Sequence, residues 1–131
     1  MRILIAEDDY PGRKFLAQFM AAYGDCDQVV DGMEALEAFT LAMEESRPYR
    51  LICLDIMMPK VDGVKVLKAI RNFEIQQGIL PEKRAKVLMI TALAETGHVH
   101  QALEIGCDGY VAKPVGIAKL TQILAGLGFS P

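Results

Sequence analysis

Four short apolar runs in this chain each end in a residue able to handle phosphate. Arg2-Ile3-Leu4-Ile5-Ala6 leads into Glu7-Asp8-Asp9, Leu51-Ile52-Cys53-Leu54 into Asp55, Val87-Leu88-Met89-Ile90 into Thr91, and Tyr110-Val111-Ala112 into Lys113-Pro114. If these runs are neighbouring parallel strands, all four endings share one edge of the sheet, the edge where open α/β sheets bind ligands. Glu7, Asp8 and Asp55 would then gather negative charge in one crevice. Two unit charges about 4 Å apart repel by roughly 4 kcal/mol at an effective dielectric of 20, so such a cluster asks for a cation. Hard carboxylate oxygens without His or Cys suit Mg²⁺. A cation there would draw in a phosphoryl donor, and a carboxylate could act as the nucleophile and form an acyl phosphate. Lys113 would pair with phosphoryl oxygens as a point charge, and Thr91 would donate a hydroxyl hydrogen bond.

Positioning these endings requires alternating strands and helices, and the chain reads as five strand–helix repeats. Strands are expected over 2–7, 27–30, 50–55, 86–91 and 109–112. Phe15, Leu16, Phe19, Met20 and Tyr23 form one helical stripe, with Pro11 near its start and Gly24 at its end. Asp31 and Glu34 fit a capping box for a second helix reaching about Glu45. Val64, Leu67 and Ile70 face inward from a third, which gives way near Gly78. The charged stretch 81–86 reads as an extended surface loop. A fourth helix is expected over 95–105. A fifth carries Ile117, Leu120, Ile123, Leu124 and Leu127 on one face. The alternation implies an α/β fold with a parallel sheet covered on both faces, and the uniformly apolar strands agree.

Composition narrows the function. The 131 residues fit one domain, 1–131, large enough to bury a core unaided. A net charge of −3 with no Lys/Arg cluster argues against direct DNA binding. The apolar runs are too short to span a membrane, and the N-terminus lacks the pattern of a signal peptide, so a cytoplasmic location is expected. Cys26, Cys53 and Cys107 show no CxxC spacing and read as reduced thiols, Cys53 as core. Asp9 reads as a helix cap. His98 and His100, two apart on a helix, make a poor metal pair and read as exposed residues.

Taken together, Ile3-Leu4-Ile5-Ala6-Glu7-Asp8-Asp9, Leu54-Asp55-Ile56-Met57-Met58-Pro59-Lys60-Val61-Asp62-Gly63, Ile90-Thr91-Ala92 and Gly109-Tyr110-Val111-Ala112-Lys113-Pro114 resemble the receiver domains of bacterial two-component response regulators, of the single-domain chemotaxis type. The resemblance runs over essentially the whole chain. It implies a flavodoxin-like sheet of order 2-1-3-4-5 with five helices. It implies that Asp55 is the phosphoacceptor, that Asp8 binds Mg²⁺ directly with Glu7 as its acidic neighbour, and that Met57 offers a backbone carbonyl to the metal. Thr91 and Lys113 would hold the phosphoryl group, Tyr110 would be the switch aromatic, and Lys113-Pro114 would be cis. A histidine kinase or histidine phosphotransfer protein would donate to Asp55. The surface of the fourth helix, fifth strand and fifth helix would then signal to a protein partner whose identity the sequence does not give. Such a chain is not an enzyme beyond promoting its own phosphorylation and dephosphorylation. Apolar Met57 and Leu93 border the expected route of hydrolytic water and predict a slowly decaying phosphoryl group.

Two rivals fit less well. A phosphatase of the haloacid dehalogenase type needs a second Asp where Met57 stands. A flavodoxin needs a hydroxyl- and glycine-rich phosphate loop where Glu7-Asp8-Asp9 stands. The native Met1 and the ending soon after the last helix favour a stand-alone receiver, and the sparsely charged final helix favours a monomer.

Overall fold

The computed structural model describes residues 1–92 and 97–131. Among them, β1 (Arg2–Ala6), β2 (Asp25–Val29), β3 (Tyr49–Asp55), β4 (Lys86–Thr91) and β5 (Gly109–Ala112) form one parallel sheet of order β2-β1-β3-β4-β5. The helices are α1 (Tyr10–Met20), α2 (Gly32–Glu44), α3 (Gly63–Gln76), α4 (Gly97–Ile105) and α5 (Ile117–Gly126). Strand side chains alternate between two cores. Leu4, Ile52, Leu54 and Met89 pack under α2, α3 and α4. Ile3, Ile5, Cys53 and Ile90 pack under α1 and α5. Where β1, β3 and β4 are covered on both faces, at 3–6, 51–54 and 87–90, every position is apolar.

Aspartates cap the starts of α1, α2 and α3. Asp9 accepts from the Gly12 N–H at 3.0 Å, Asp31 from the Glu34 N–H at 2.8 Å and Asp62 from the Lys65 N–H at 2.9 Å. At α2 the reciprocal half of the capping box lands one residue early: Glu34 Oε1 accepts from the Val30 N–H at 2.9 Å.

Three expectations are corrected. β2 is Asp25–Val29 rather than 27–30, because its register is dictated by pairing with β1, Arg2 opposite Asp25 through Ala6 opposite Val29. As an edge strand it buries little, so it carries no apolar signature. The first helix ends at Met20, and turns carry the chain to Gly24. The stretch 81–86 is not an extended loop: Pro81–Lys83 makes a 3₁₀ turn and Arg84 Nε donates to the Ile79 carbonyl at 3.0 Å. The start expected for the fourth helix, at 95, lies outside the described residues.

That turn is anchored by buried charge. Arg71 and Glu74, 8% and 2% exposed, sit on the inward face of α3. Arg71 Nη1 donates to Glu74 Oε1 at 2.7 Å and to the Ala85 carbonyl at 2.8 Å; its Nη2 reaches Asp108 Oδ2 at 2.9 Å and its Nε the Gly106 carbonyl at 2.9 Å. Glu74 Oε2 accepts from the Ala85 N–H at 2.9 Å, and Asp108 Oδ2 from the Val87 N–H at 2.8 Å. The network is tolerable because its polar atoms find partners. Arg71→Met strands Glu74 as an uncompensated buried charge and should cost about 3–5 kcal/mol in urea unfolding. Adding Glu74→Leu should recover much of that loss; a double variant no better than the single would mean the backbone contacts, not the charge pair, carry the stability.

Candidate functional site

The carboxyl ends of β1, β3, β4 and β5 bring Glu7, Asp8, Asp55, Thr91 and Lys113 to one edge. Glu7 and Asp55 are buried, Asp8 is exposed, and one carboxylate oxygen from each of the three lies within 4.8 Å of the others. Lys113 reaches from the β5 end into this cluster, with Nζ 3.0 Å from Asp55 Oδ2 and 2.5 Å from Glu7 Oε1. The second contact is an ion pair at angles that leave Glu7 Oε1 without a hydrogen bond. The Met57 N–H donates to Asp55 Oδ1 at 3.3 Å, and the Asp9 N–H to Glu7 Oε2 at 3.3 Å. Thr91 is fully buried at the end of β4. The Lys113–Pro114 peptide bond is cis.

Burial first, then the neighbouring Asp55 carboxyl, raise the Glu7 carboxyl to about 7 against the opposing pull of Lys113. Burial works to lower the Lys113 ammonium, but Glu7 and Asp55 outweigh it and its pKa is raised. The donor set is all carboxylate, crowded and short of positive charge, with a buried oxygen lacking a hydrogen bond. Those features fit a hard divalent cation such as Mg²⁺.

The supports of this edge were not singled out from sequence. Arg13, in the first turn of α1, donates Nη1 to the Glu7 carbonyl at 2.9 Å and lies over the Tyr10 ring at 5.5 Å. Its only sequence signal is its place one turn past the Asp9 cap. Lys60 takes a left-handed φ of 69° in the β3–α3 loop, with Nζ 3.5 Å from Asp31 Oδ2. A Cβ on Gly63 would meet the Asp55 carbonyl oxygen at 2.3 Å, so the glycine lets α3 begin against the acidic residue. Asp9 is confirmed as a cap. Met57 is 59% exposed beside Asp55, and Tyr110 is 42% exposed on β5. His98 and His100 are exposed on α4. Leu93 lies outside the described residues.

Residues 3–125 match the model of the response regulator receiver domain. The chain belongs to that family. It is 32% identical over 126 residues to the chemotaxis protein CheY of Treponema pallidum, covering 95% of this chain and 80% of that protein. Among solved structures, the CheX–CheY–BeF₃–Mg²⁺ complex of Borrelia burgdorferi superposes at a TM-score of 0.82, with 27% identity over 99% of this chain and 90% of that one. The co-crystal structure of the Saccharomyces cerevisiae phosphotransfer protein Ypd1 with the receiver domain of Ssk1 matches at 0.78, with 26% identity over 95% of this chain and 86% of that one. The chain spans between 4% and 47% of four further curated relatives, histidine kinases and a transcriptional regulator. The receiver domain is thus a phosphorelay module of two-component signalling. No helix among its described residues is long and apolar enough to cross a membrane.

Within this receiver the loop after Asp55 must stay pressed onto α3. Gly63→Ala drives a methyl group into backbone that cannot swing aside, and should lower stability by about 1–3 kcal/mol. A Gly63→Ala chain that unfolds in urea at the parent midpoint would show that the loop is not held there.

Proposed function

We propose that Asp55 accepts the phosphoryl group in this receiver. The observation that carries the reading is the convergence of Glu7, Asp8 and Asp55 on Lys113 at the carboxyl edge of the sheet. An Asp55 carboxylate oxygen attacks the phosphorus of a phosphohistidine; the P–N bond breaks, its electrons stay on the imidazole nitrogen, and an acyl phosphate remains. Lys113 pairs with the phosphoryl oxygens, and the Thr91 hydroxyl donates to one of them. Glu7, Asp8, Asp55 and the Met57 carbonyl are the groups that would hold Mg²⁺, which when bound neutralises charge on the transferring group. The donor is a histidine kinase or a histidine phosphotransfer protein, a reading supported by the Ypd1–Ssk1 complex among the similar structures.

Phosphorylation then biases a two-state equilibrium in which Thr91 moves toward the phosphoryl group and Tyr110, exposed in this structure, turns inward. A shift from 1:99 to 99:1 needs about 5.5 kcal/mol of differential stabilisation. The altered face of α4, β5 and α5 is offered to a protein target. On this reading the chain is one receiver domain over 1–131, a cytoplasmic monomer that signals by protein contact without binding DNA or membrane. It is not an enzyme beyond its own phosphorylation and dephosphorylation.

Asp55→Asn should abolish acid-labile labelling by acetyl phosphate in Mg²⁺; persistent labelling of that variant would remove Asp55 from the role. The Met57 thioether cannot orient a water for attack on the acyl phosphate, so decay should be slow. Met57→Asn should shorten the lifetime of the phosphorylated chain several-fold, and an unchanged decay rate would exclude Met57 as its determinant.

A further inference from the structure

The amino edge of the sheet, opposite the acidic cluster, holds a cavity of 460 Å³. Arg50, Lys83, Arg84 and Lys86 stand on its lining. Three of these cations stand close in sequence, Lys83-Arg84-Ala85-Lys86, although the chain as a whole carries −3. The fold adds Arg50 to them by bringing the start of β3 beside the α3–β4 turn.

Arg50 is aimed there by a β-bulge. Arg2 of β1 pairs with Tyr49 and Ile3 with Leu51, which leaves Arg50 as the extra residue. A bulge re-directs the side chain it inserts. Tyr49 and Leu51 are buried on either side, whereas Arg50 is exposed.

Two of these cations are uncommitted. Among the described residues Arg50 and Lys83 have no ion pair and no side-chain hydrogen bond. Arg84 uses Nε on the Ile79 carbonyl, and Lys86 lies 3.8 Å from Asp108. Of the acids on the lining, Glu74 spends both oxygens on Arg71 and the Ala85 N–H, which leaves Glu82 against Arg50, Lys83 and Arg84. The backbone that carries Lys83 and Arg84 is held by the 3₁₀ turn at Pro81–Lys83 and the Ala85 clamp. Beneath the charges, half-buried Met43, Ile79 and Leu127 supply an apolar floor.

We propose that this cavity binds a nucleoside phosphate, with the phosphates on Arg50, Lys83 and Arg84 and the base against the apolar floor. A volume of 460 Å³ exceeds what inorganic phosphate fills and lies within the range of small-ligand pockets. Guanidinium forks match phosphate oxygens in pairs. The site is separate from the phosphorylation edge: Arg50 and Asp55 stand five residues apart on β3, about 16 Å at the rise of a strand.

Titration calorimetry with ATP in EDTA, which leaves the acidic edge without metal, tests the proposal. ATP should bind saturably at one site, more weakly as salt rises, and perturb the amide resonances of residues 49–50 and 82–86. Pyrophosphate should bind at least tenfold more weakly than ATP, and adenosine not measurably. The Arg50→Gln/Lys83→Gln double variant should lose at least tenfold in ATP affinity and still be labelled by acetyl phosphate. If it melts early, Lys83→Glu alone, on an exposed turn, should give the same loss. No binding at millimolar ATP, equal affinity for ATP and pyrophosphate, or undiminished binding by the variants would each overturn the proposal.

Discussion

Like charge crowded at the carboxyl edge of the sheet, with Lys113 set among it, is the constraint to which the rest of the structure answers. Glu7 and Asp55 are buried next to each other, and burial alone pushes Glu7 toward protonation. A fold with no stake in that edge would place apolar residues there. The supports all bear on it. Arg13 holds the Glu7 carbonyl from behind, and the Met57 N–H takes one Asp55 oxygen. Gly63 lets α3 start against the Asp55 carbonyl, so the carboxylate cannot drift from Lys113 without moving a helix.

The legible parts of the sequence are those where one physical demand acts on every position. The stretches 3–6, 51–54 and 87–90 of β1, β3 and β4 are buried on both faces, so each is an unbroken apolar run, and its end is marked by the next polar residue. On the proposed reading that residue carries the chemistry, and the ends of these runs pick out Glu7, Asp55 and Thr91. β2 pairs on one side only and reads Asp25-Cys26-Asp27-Gln28-Val29, a polar sequence that takes its register from its neighbour. Its boundaries were therefore misread.

The supporting residues were hidden for a different reason. Leu67, Ile70, Arg71 and Glu74 lie on one helical stripe, and the last two break the apolar pattern only because their partners come from residues 85, 106 and 108. Nothing local in α3 states that those partners exist. Arg50 is the same case: its direction follows from a register shift against β1, a property of the pair of strands and not of either one. A net charge of −3 says nothing of distribution: it accommodates an acidic cluster at one edge and basic residues at the other.

A parallel sheet keeps those two edges apart, because every strand starts at one and ends at the other. Arg71 ties the C-terminal part of α3, the entry to β4 and the Gly106 turn after α4 into one block at the amino edge. Any rearrangement that begins at Thr91, at the far end of β4, therefore meets an α4 whose last turn is already tethered. On the proposed switch, that tether would confine displacement of α4 towards its Gly97 end. The charged network that looked purely structural then becomes the fulcrum of the proposed switch.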